Sequence, residues 1–202
     1  MKFYFSPGSC SMASHMVLNE LGLKAETESV SLKEHKTKSG ADFYKINPKG
    51  YVPALTLDNG QTLTEGSVIL QYLADQKPES QMIPKAGTFE RYRCQEWLNF
   101  ISSELHKNFS PFFSESTPEQ TRMNLKSTLA KRFEYLANHL KTNPFLMGNQ
   151  FTVADAYLFT ILSWSPHLRI DLTPYPALMG YAERIKSRPA TMMTLKEEGL
   201  LK

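Results

Sequence analysis

Short apolar stretches separated by polar turns occupy the first third of the chain. Lys2 to Phe5 is aromatic, Glu28 to Leu32 alternates polar and apolar residues, and Val52 to Leu57 is largely apolar. This patterning predicts three strands. Asp58-Asn59-Gly60 predicts a hairpin turn into a fourth strand at Gln61 to Thr64, because an Asn-Gly pair tolerates positive φ.

Two helical patterns accompany these strands. From Ser11 to Gly22 the apolar residues recur at helical spacing, and a glycine is a natural C-terminal stop. Residues 65–75 place their apolar side chains on one face, and a short helix is predicted near residues 42–46. A strand–helix–strand unit of this length implies parallel pairing, whereas the hairpin implies antiparallel pairing. We therefore predict an α/β domain over residues 1–78, with helices on a mixed four-stranded sheet.

Strand patterns almost vanish after a linker at residues 76–88. Residues 152–164 are apolar nearly all round, which predicts a helix buried in the middle of a bundle. Thr152 to Asp155 opens that helix as a capping box with Asp in place of Glu, and we assign it a role in folding. Three prolines break the rest into shorter helices. The sequence thus predicts an all-α domain over residues 88–202.

Composition and charge exclude several classes of function. A formal charge of +3 over 202 residues gives no concentrated basic patch, so no nucleic-acid partner is expected. The charged run from Lys33 to Lys38 is interpreted as a solvated loop. The longest apolar runs are too short to span a membrane. Two cysteines make no disulfide framework and no secretion leader is visible, so we expect a cytoplasmic protein with reduced thiols and no metal.

Cys10 is the first candidate for chemistry. It lies at the junction of the first strand and the first helix, where free N–H groups and the helix dipole stabilise a thiolate. A buried, inert cysteine is an equally good interpretation of the position alone. No second cysteine follows three residues later, which excludes a dithiol redox motif.

Two further motifs have both a structural and a functional interpretation. Val52-Pro53 opens a strand, so the Val52 backbone could pair with an extended peptide, and a cis bond would make the turn tighter. The alternative is that the proline only marks the start of an edge strand. Thr64-Glu65-Gly66-Ser67 lies at a helix start whose N–H groups suit a carboxylate, and Glu65 suits an amine. A simple capping turn is the alternative there.

A polar row follows on the first long helix of the second half. Asn99, Ser103 and His106 are spaced by four and three residues, so the sequence predicts that they share one helix face. Such a row could line a cleft, and a solvated helix face explains it equally well.

Taken in order along the chain, these motifs resemble those of bacterial beta-class glutathione transferases. The resemblance covers essentially the whole length. The matching stretches are Ser6 to Ser11, Ile46 to Leu55, Leu63 to Gly66, Gln71 to Asp75, Glu96 to Phe100, Glu104 to Lys107 and Phe151 to Phe159.

The resemblance implies a thioredoxin-like first domain that binds glutathione as co-substrate, followed by a helical second domain. Cys10 would lie beside the glutathione sulfur, and Val52 would pair with its cysteinyl part ahead of a cis Pro53. Glu65 and the Gly66 backbone would hold the γ-glutamyl end. One position departs from the family, because His35 stands where a lysine usually contacts the glycine carboxylate.

The resemblance also assigns residues of the helical domain. Those implied to reach the glutathione site are Asn99, Ser103, Glu104 and His106, some of them across a dimer interface. Those implied to line the cleft for the electrophile are Phe113, Trp164 and His167. Cys10 and His106 are the candidate catalytic residues.

The activity that follows is glutathione transfer to small electrophiles, with thiol–disulfide exchange or peroxide reduction as side activities, in a homodimer with a detoxifying role. Two alternatives stay open at this point. One is a glutathione-dependent thiol transferase or dehalogenase, and the other is a non-catalytic ligand-binding protein of the same fold.

Overall fold

The computed structural model describes residues 1–201, which divide into two compact units. The first unit comprises residues 1–80 together with the chain from Ser187 onward, and the second comprises residues 81–186. Within the described residues, no helix combines the length and apolar character needed to cross a bilayer.

A mixed sheet forms the centre of the first unit. Its strands are β1 (Lys2–Phe5), β2 (Glu26–Ser31), β3 (Lys36–Thr37), β4 (Ala54–Thr56) and β5 (Thr62–Thr64), in the spatial order β3-β2-β1-β4-β5. β1 and β2 are parallel, and the other neighbouring pairs are antiparallel. The predicted α/β class and mixed sheet are confirmed.

The prediction of four strands is wrong, because the sheet has five. The added strand, β3, pairs Thr37 with Val30 and Lys36 with Ser31. It lies inside the charged run that was interpreted as a loop. A strand of two residues is too short to show alternation of polar and apolar positions, so the pattern gave no signal for it.

Three helices belong to the first unit: α1 (Met12–Leu21), α2 (Gly66–Asp75) and α8 (Pro189–Glu197). α1 ends as predicted, with Gly22 in the left-handed conformation at φ 58°. The short helix predicted near residues 42–46 is a 3₁₀ turn, Phe43–Lys45. Pro78–Ser80 forms another such turn.

The terminal helix α8 packs against α1. The Asn19 side chain donates to the Thr194 hydroxyl at 3.0 Å, and Arg188 pairs with Glu20. The buried His15 ring bonds Glu198 through Nδ1 at 2.9 Å. The predicted domain boundaries, residues 1–78 and 88–202, stay a prediction. α8 lies in the range predicted for the helical domain, and it belongs to the same compact unit as the sheet.

The regular elements of the second unit are helices. It contains α3 (Phe89–Phe100), a π-helical segment (Ile101–His106), α4 (Lys107–Phe109), a 3₁₀ turn (Ser110–Phe113), α5 (Glu119–Leu140), α6 (Val153–Leu162) and α7 (Pro176–Lys186). The predicted all-α class is confirmed.

All ten residues of α6 are buried, as its apolar surface predicts. The capping box at its start is formed by Thr152 and Asp155. The buried Asp155 carboxylate accepts from the backbone N–H groups of Leu146 and Thr152, both at 2.8 Å, and from the Tyr181 hydroxyl at 3.0 Å. Burial raises the pKa of this carboxyl to about 6, against hydrogen bonds that lower it.

Candidate functional site

The loop before α1 holds Cys10 through hydrogen bonds of its serines. The Ser11 hydroxyl accepts from the Ser6 N–H at 3.1 Å and lies 2.8 Å from the Ser9 hydroxyl. The Met12 N–H donates to the Ser9 carbonyl at 3.0 Å. These bonds fix the conformation of the loop. Cys10 lies in this loop, directly before Ser11, the N-cap residue of the helix.

Cys10 and Val52 meet at the end of the loop. The Cys10 thiol donates to the Val52 carbonyl, with 3.2 Å between sulfur and oxygen, and the Val52–Pro53 bond is cis. Cys10 as a residue is only partly exposed, and burial of its sulfur raises the pKa of the thiol to about 12. Backbone N–H groups of Cys10 and Ser11 lower the pKa by less than burial raises it. At neutral pH Cys10 is therefore a protonated hydrogen-bond donor, and not the resident thiolate that its place beside a helix start suggests.

Glu65 occupies the N-cap position of α2 without capping it. Its backbone has φ 71°, a left-handed conformation that L side chains rarely adopt, and its side chain makes no capping bond. Its carbonyl accepts from the Val68 and Ile69 N–H groups at 3.0 and 2.9 Å. The carboxylate pairs instead with Lys49 and is 66% exposed. A non-glycine residue in this conformation is typical of functional sites, so the simple capping interpretation does not explain Glu65.

His35 lies in a second strained position, at φ 51°. Its ring stacks on Tyr44 with centroids 4.5 Å apart, and its carbonyl accepts from the Phe43 N–H at 2.8 Å. Its Nδ1 is buried with no hydrogen-bond partner within residues 1–201. Gly50 is required here: it has φ +72°, and a Cβ would come within 2.7 Å of the Tyr44 ring. The neighbouring Lys33 and Lys36 are exposed.

In the second unit, aromatic rings enclose His106. The ring lies 5.1 Å from Trp164, and Phe113 packs edge-on against Trp164 at 5.2 Å. His106 Nδ1 is 2.7 Å from the Tyr157 hydroxyl. Burial, with a smaller contribution from Lys107, lowers the pKa of His106 to about 4, so the imidazole is neutral at pH 7. Phe113 remains 53% exposed and gives this cluster an open apolar surface.

The polar row on the first long helix is divided by the π-helical segment. The Ser103 hydroxyl donates to the Asn99 carbonyl at 3.0 Å, and both residues are exposed. Glu104 accepts from the Arg132 guanidinium at 2.7 Å. His106 turns toward Tyr157 and does not continue the exposed face, because the wider turns of a π-helix rotate the positions that follow. His167 is exposed beyond α6.

Two residues at these places had no signal in the sequence. Lys49 lies in the turn before Val52, and Tyr157 lies within the helix that the sequence predicts to be buried and apolar. No group of three or more His, Cys, Asp or Glu side chains suited to a metal occurs within residues 1–201.

Comparison with known proteins places both units in one family. Residues 8–76 match the family model of the glutathione S-transferase N-terminal domain, and residues 100–189 match that of the C-terminal domain. The glutathione S-transferase GstA of Escherichia coli O157:H7 is 41% identical over 200 residues, covering 99% of this chain and 100% of that protein.

Two solved structures give the same assignment. A sphingomonad glutathione S-transferase complexed with glutathione has a TM-score of 0.96 and 43% identity, covering 100% of both chains. The bacterial beta-class glutathione S-transferase of Sphingomonas chungbukensis also has a TM-score of 0.96, with 42% identity and the same coverage.

Proposed function

Because the chain belongs to the bacterial beta class of glutathione S-transferases, we propose that the thiol of its co-substrate, glutathione, binds beside the contact between Cys10 and Val52. The observation that carries this proposal is the 3.2 Å bond from the Cys10 sulfur to the Val52 carbonyl beside a cis Pro53. This bond holds the Cys10 thiol next to the Val52 backbone, which would pair with an extended peptide such as glutathione. Glu65 and the Gly66 backbone would hold the γ-glutamyl end.

Cys10 would stabilise the glutathione thiolate as a donor. A thiol whose pKa is raised to about 12 keeps its proton at pH 7. Its single S–H donates to the Val52 carbonyl in this structure, so it would turn from that carbonyl to donate to the anionic glutathione sulfur. Lowering the pKa of the glutathione thiol by two units requires about 2.7 kcal/mol of differential stabilisation. The thiolate then attacks an electrophilic carbon, the carbon–sulfur bond forms, and the leaving group departs with its electron pair.

The electrophile would bind at the aromatic cluster of the second unit. Phe113, exposed and packed edge-on against the buried Trp164, offers apolar surface that suits planar aromatic substrates. His106, neutral at pH 7, would contribute a hydrogen-bonding group without a charge. The assignment of Asn99, Ser103, Glu104 and His106 to the glutathione site, and of His167 to the electrophile, stays a prediction of the resemblance.

Thiol–disulfide exchange through Cys10 is the second candidate activity. It needs Cys10 as thiolate, and the raised pKa of that thiol disfavours this form at neutral pH. Conjugation is therefore the better-supported reaction.

We further propose a cytoplasmic homodimer. α3 carries Phe89 and Tyr92 three residues apart, and they are 67% and 61% exposed. An exposed aromatic pair on one helix face suits a protein interface. Sedimentation equilibrium should give the mass of two chains, and a monomer at micromolar concentration would contradict the dimer.

Two substitutions at Cys10 test the thiol site. Cys10→Ala should lower conjugation of an aryl halide about tenfold, because a hydrogen bond to a charged group is lost. Cys10→Ser should keep conjugation within about twofold, because the hydroxyl still donates. Cleavage of a glutathione mixed disulfide should be lost in both variants.

The matched control is Cys94→Ala, which removes the other cysteine from the interior of the second unit. It should leave both activities per folded molecule unchanged. Conjugation abolished in Cys10→Ala, with disulfide cleavage intact, would overturn the role given to Cys10.

A further inference from the structure

A tight turn built on Asn47 presents Lys49 just before Val52. The buried Asn47 side chain donates to the Tyr51 carbonyl at 2.6 Å and accepts from the Lys49 N–H at 3.1 Å. The Gly50 N–H donates to the Asn47 carbonyl at 2.8 Å. Asn47 thus holds the backbone of this turn at Lys49 and at Tyr51, and the Lys49 side chain lies on the exposed side of the turn.

The Lys49 ammonium bonds two acceptors at the end of β5. It donates to the Thr64 hydroxyl at 2.8 Å and to Oε1 of Glu65. An ammonium has three N–H donors, so one remains for another acceptor. Oε2 of Glu65 has no hydrogen-bond partner within residues 1–201, and the carboxylate is largely exposed. The pair therefore holds one free donor and one free acceptor next to each other.

This arrangement of charges matches one ligand chemistry. An α-amino acid carries an ammonium and a carboxylate on the same carbon, so its two charges can lie antiparallel to a fixed ion pair. The γ-glutamyl end of glutathione is such a zwitterion. A lone carboxylate would suit an amine alone and would not distinguish ligands with and without the α-carboxylate.

We propose that Lys49 and Glu65 together recognise the zwitterionic α-amino-acid end of glutathione. Glu65 Oε2 accepts from the ligand ammonium, and Lys49 Nζ donates its remaining N–H to the ligand carboxylate. Lys49 is then a specificity-determining residue. The inference rests on the proposed glutathione site and adds a second charged residue to it.

The test compares ligands that lack one charge each. Dissociation constants are measured by titration calorimetry for glutathione, for 4-aminobutanoyl-Cys-Gly, which lacks the α-carboxylate, and for glutaryl-Cys-Gly, which lacks the α-ammonium. Lys49→Met should weaken glutathione binding about fivefold, the upper range for an exposed ion pair. The same variant should bind 4-aminobutanoyl-Cys-Gly as the wild type does.

Two control variants accompany Lys49→Met. Lys49→Arg keeps the charge and a free donor, so it should bind glutathione within about twofold of the wild type. Lys45→Met removes an exposed lysine four residues earlier and should change no dissociation constant.

Three outcomes are decisive. Unchanged or tighter glutathione binding in Lys49→Met would overturn the proposal, and tighter binding would show that Lys49 competes with the ligand for Glu65. An equal loss for glutathione and 4-aminobutanoyl-Cys-Gly would also overturn it, because Lys49 would then only support the fold of the turn. If the wild type binds no glutathione, the proposed function itself fails, which is a different result from a silent Lys49→Met.

Discussion

Among the acidic residues at helix starts, Asp155 of α6 and Glu65 of α2 have carboxylates with opposite surroundings. Asp155 at the start of α6 is fully buried and accepts from two backbone N–H groups and a tyrosine hydroxyl. The side chain of Glu65 at the start of α2 is exposed and makes no capping bond, and its carboxylate pairs with Lys49. The first helix start has a completed hydrogen-bond network, and the second has an acceptor left over.

The difference shows how to separate residues that hold the fold from residues that bind a ligand. A buried carboxylate with several protein donors has no capacity left for a ligand, so its removal should reduce stability alone. An exposed carboxylate on strained backbone gives little stability and is free to bind. Substitutions at the two helix starts should therefore have opposite effects on stability and on glutathione binding.

Asp155→Asn should give the largest loss of stability. In asparagine one carboxylate oxygen is replaced by an NH₂ group, which is a donor. This group would face a backbone N–H or the Tyr181 hydroxyl, so at least one buried donor would lose its acceptor. We expect the free energy of unfolding to fall by about 3 kcal/mol. Urea unfolding followed by tryptophan fluorescence measures it, because both tryptophans, Trp97 and Trp164, lie in the same unit as Asp155.

The control is Glu115→Gln, an exposed acidic residue of the same unit. It should change the free energy of unfolding by less than about 0.5 kcal/mol. A similarly small change in Asp155→Asn would show that the capping network does not stabilise the fold.

The network at Asp155 and the contact at Lys49 also show how far the sequence could lead. The capping box was predictable because its partners, Thr152 and Asp155, are three residues apart on the chain. The positions of Cys10, Val52 and Glu65 at element ends were likewise visible as local motifs. Contacts between distant positions were not, so Lys49 with Glu65, and His106 with Tyr157, needed the structure.

Protonation states were the second limit of the sequence. The place of Cys10 beside a helix start suggested a lowered thiol pKa, but burial outweighs the backbone N–H groups and raises it. Burial depends on every element that surrounds a group, so spacing along the chain cannot give it. The π-helical turn that moves His106 off the Asn99–Ser103 face was invisible for a related reason, because its sequence has ordinary helical spacing.

Glu65→Gln should reverse the result expected for Asp155. The variant keeps the shape of the side chain and loses its charge, so the dissociation constant for glutathione should rise about tenfold. The free energy of unfolding should change by less than about 0.5 kcal/mol, because the ion pair with Lys49 is exposed. Titration calorimetry and urea unfolding on the same preparation give both numbers.

Folded Asp155→Asn serves as the partner experiment, and it should bind glutathione as the wild type does. If Glu65→Gln were as unstable as Asp155→Asn, or if both variants lost glutathione affinity equally, the distinction between the two helix starts would fail.

His35→Lys should give the smallest effect, and it concerns the opposite end of the ligand. The resemblance places a lysine here against the glycine carboxylate of glutathione, and a histidine lacks the permanent positive charge of a lysine. A permanent ammonium should therefore tighten glutathione binding about threefold, within the range of an exposed ion pair.

The matched control is His35→Gln, which keeps a donor without a charge and should not tighten binding. Both variants lose the ring that stacks on Tyr44, so any loss of stability from that contact is shared between them. If lysine and glutamine tightened binding alike, or if lysine gave no gain, the charge would not be what this end of the site lacks. The orphaned, buried Nδ1 of His35 would then indicate a ring selected for its packing against Tyr44 and Gly50.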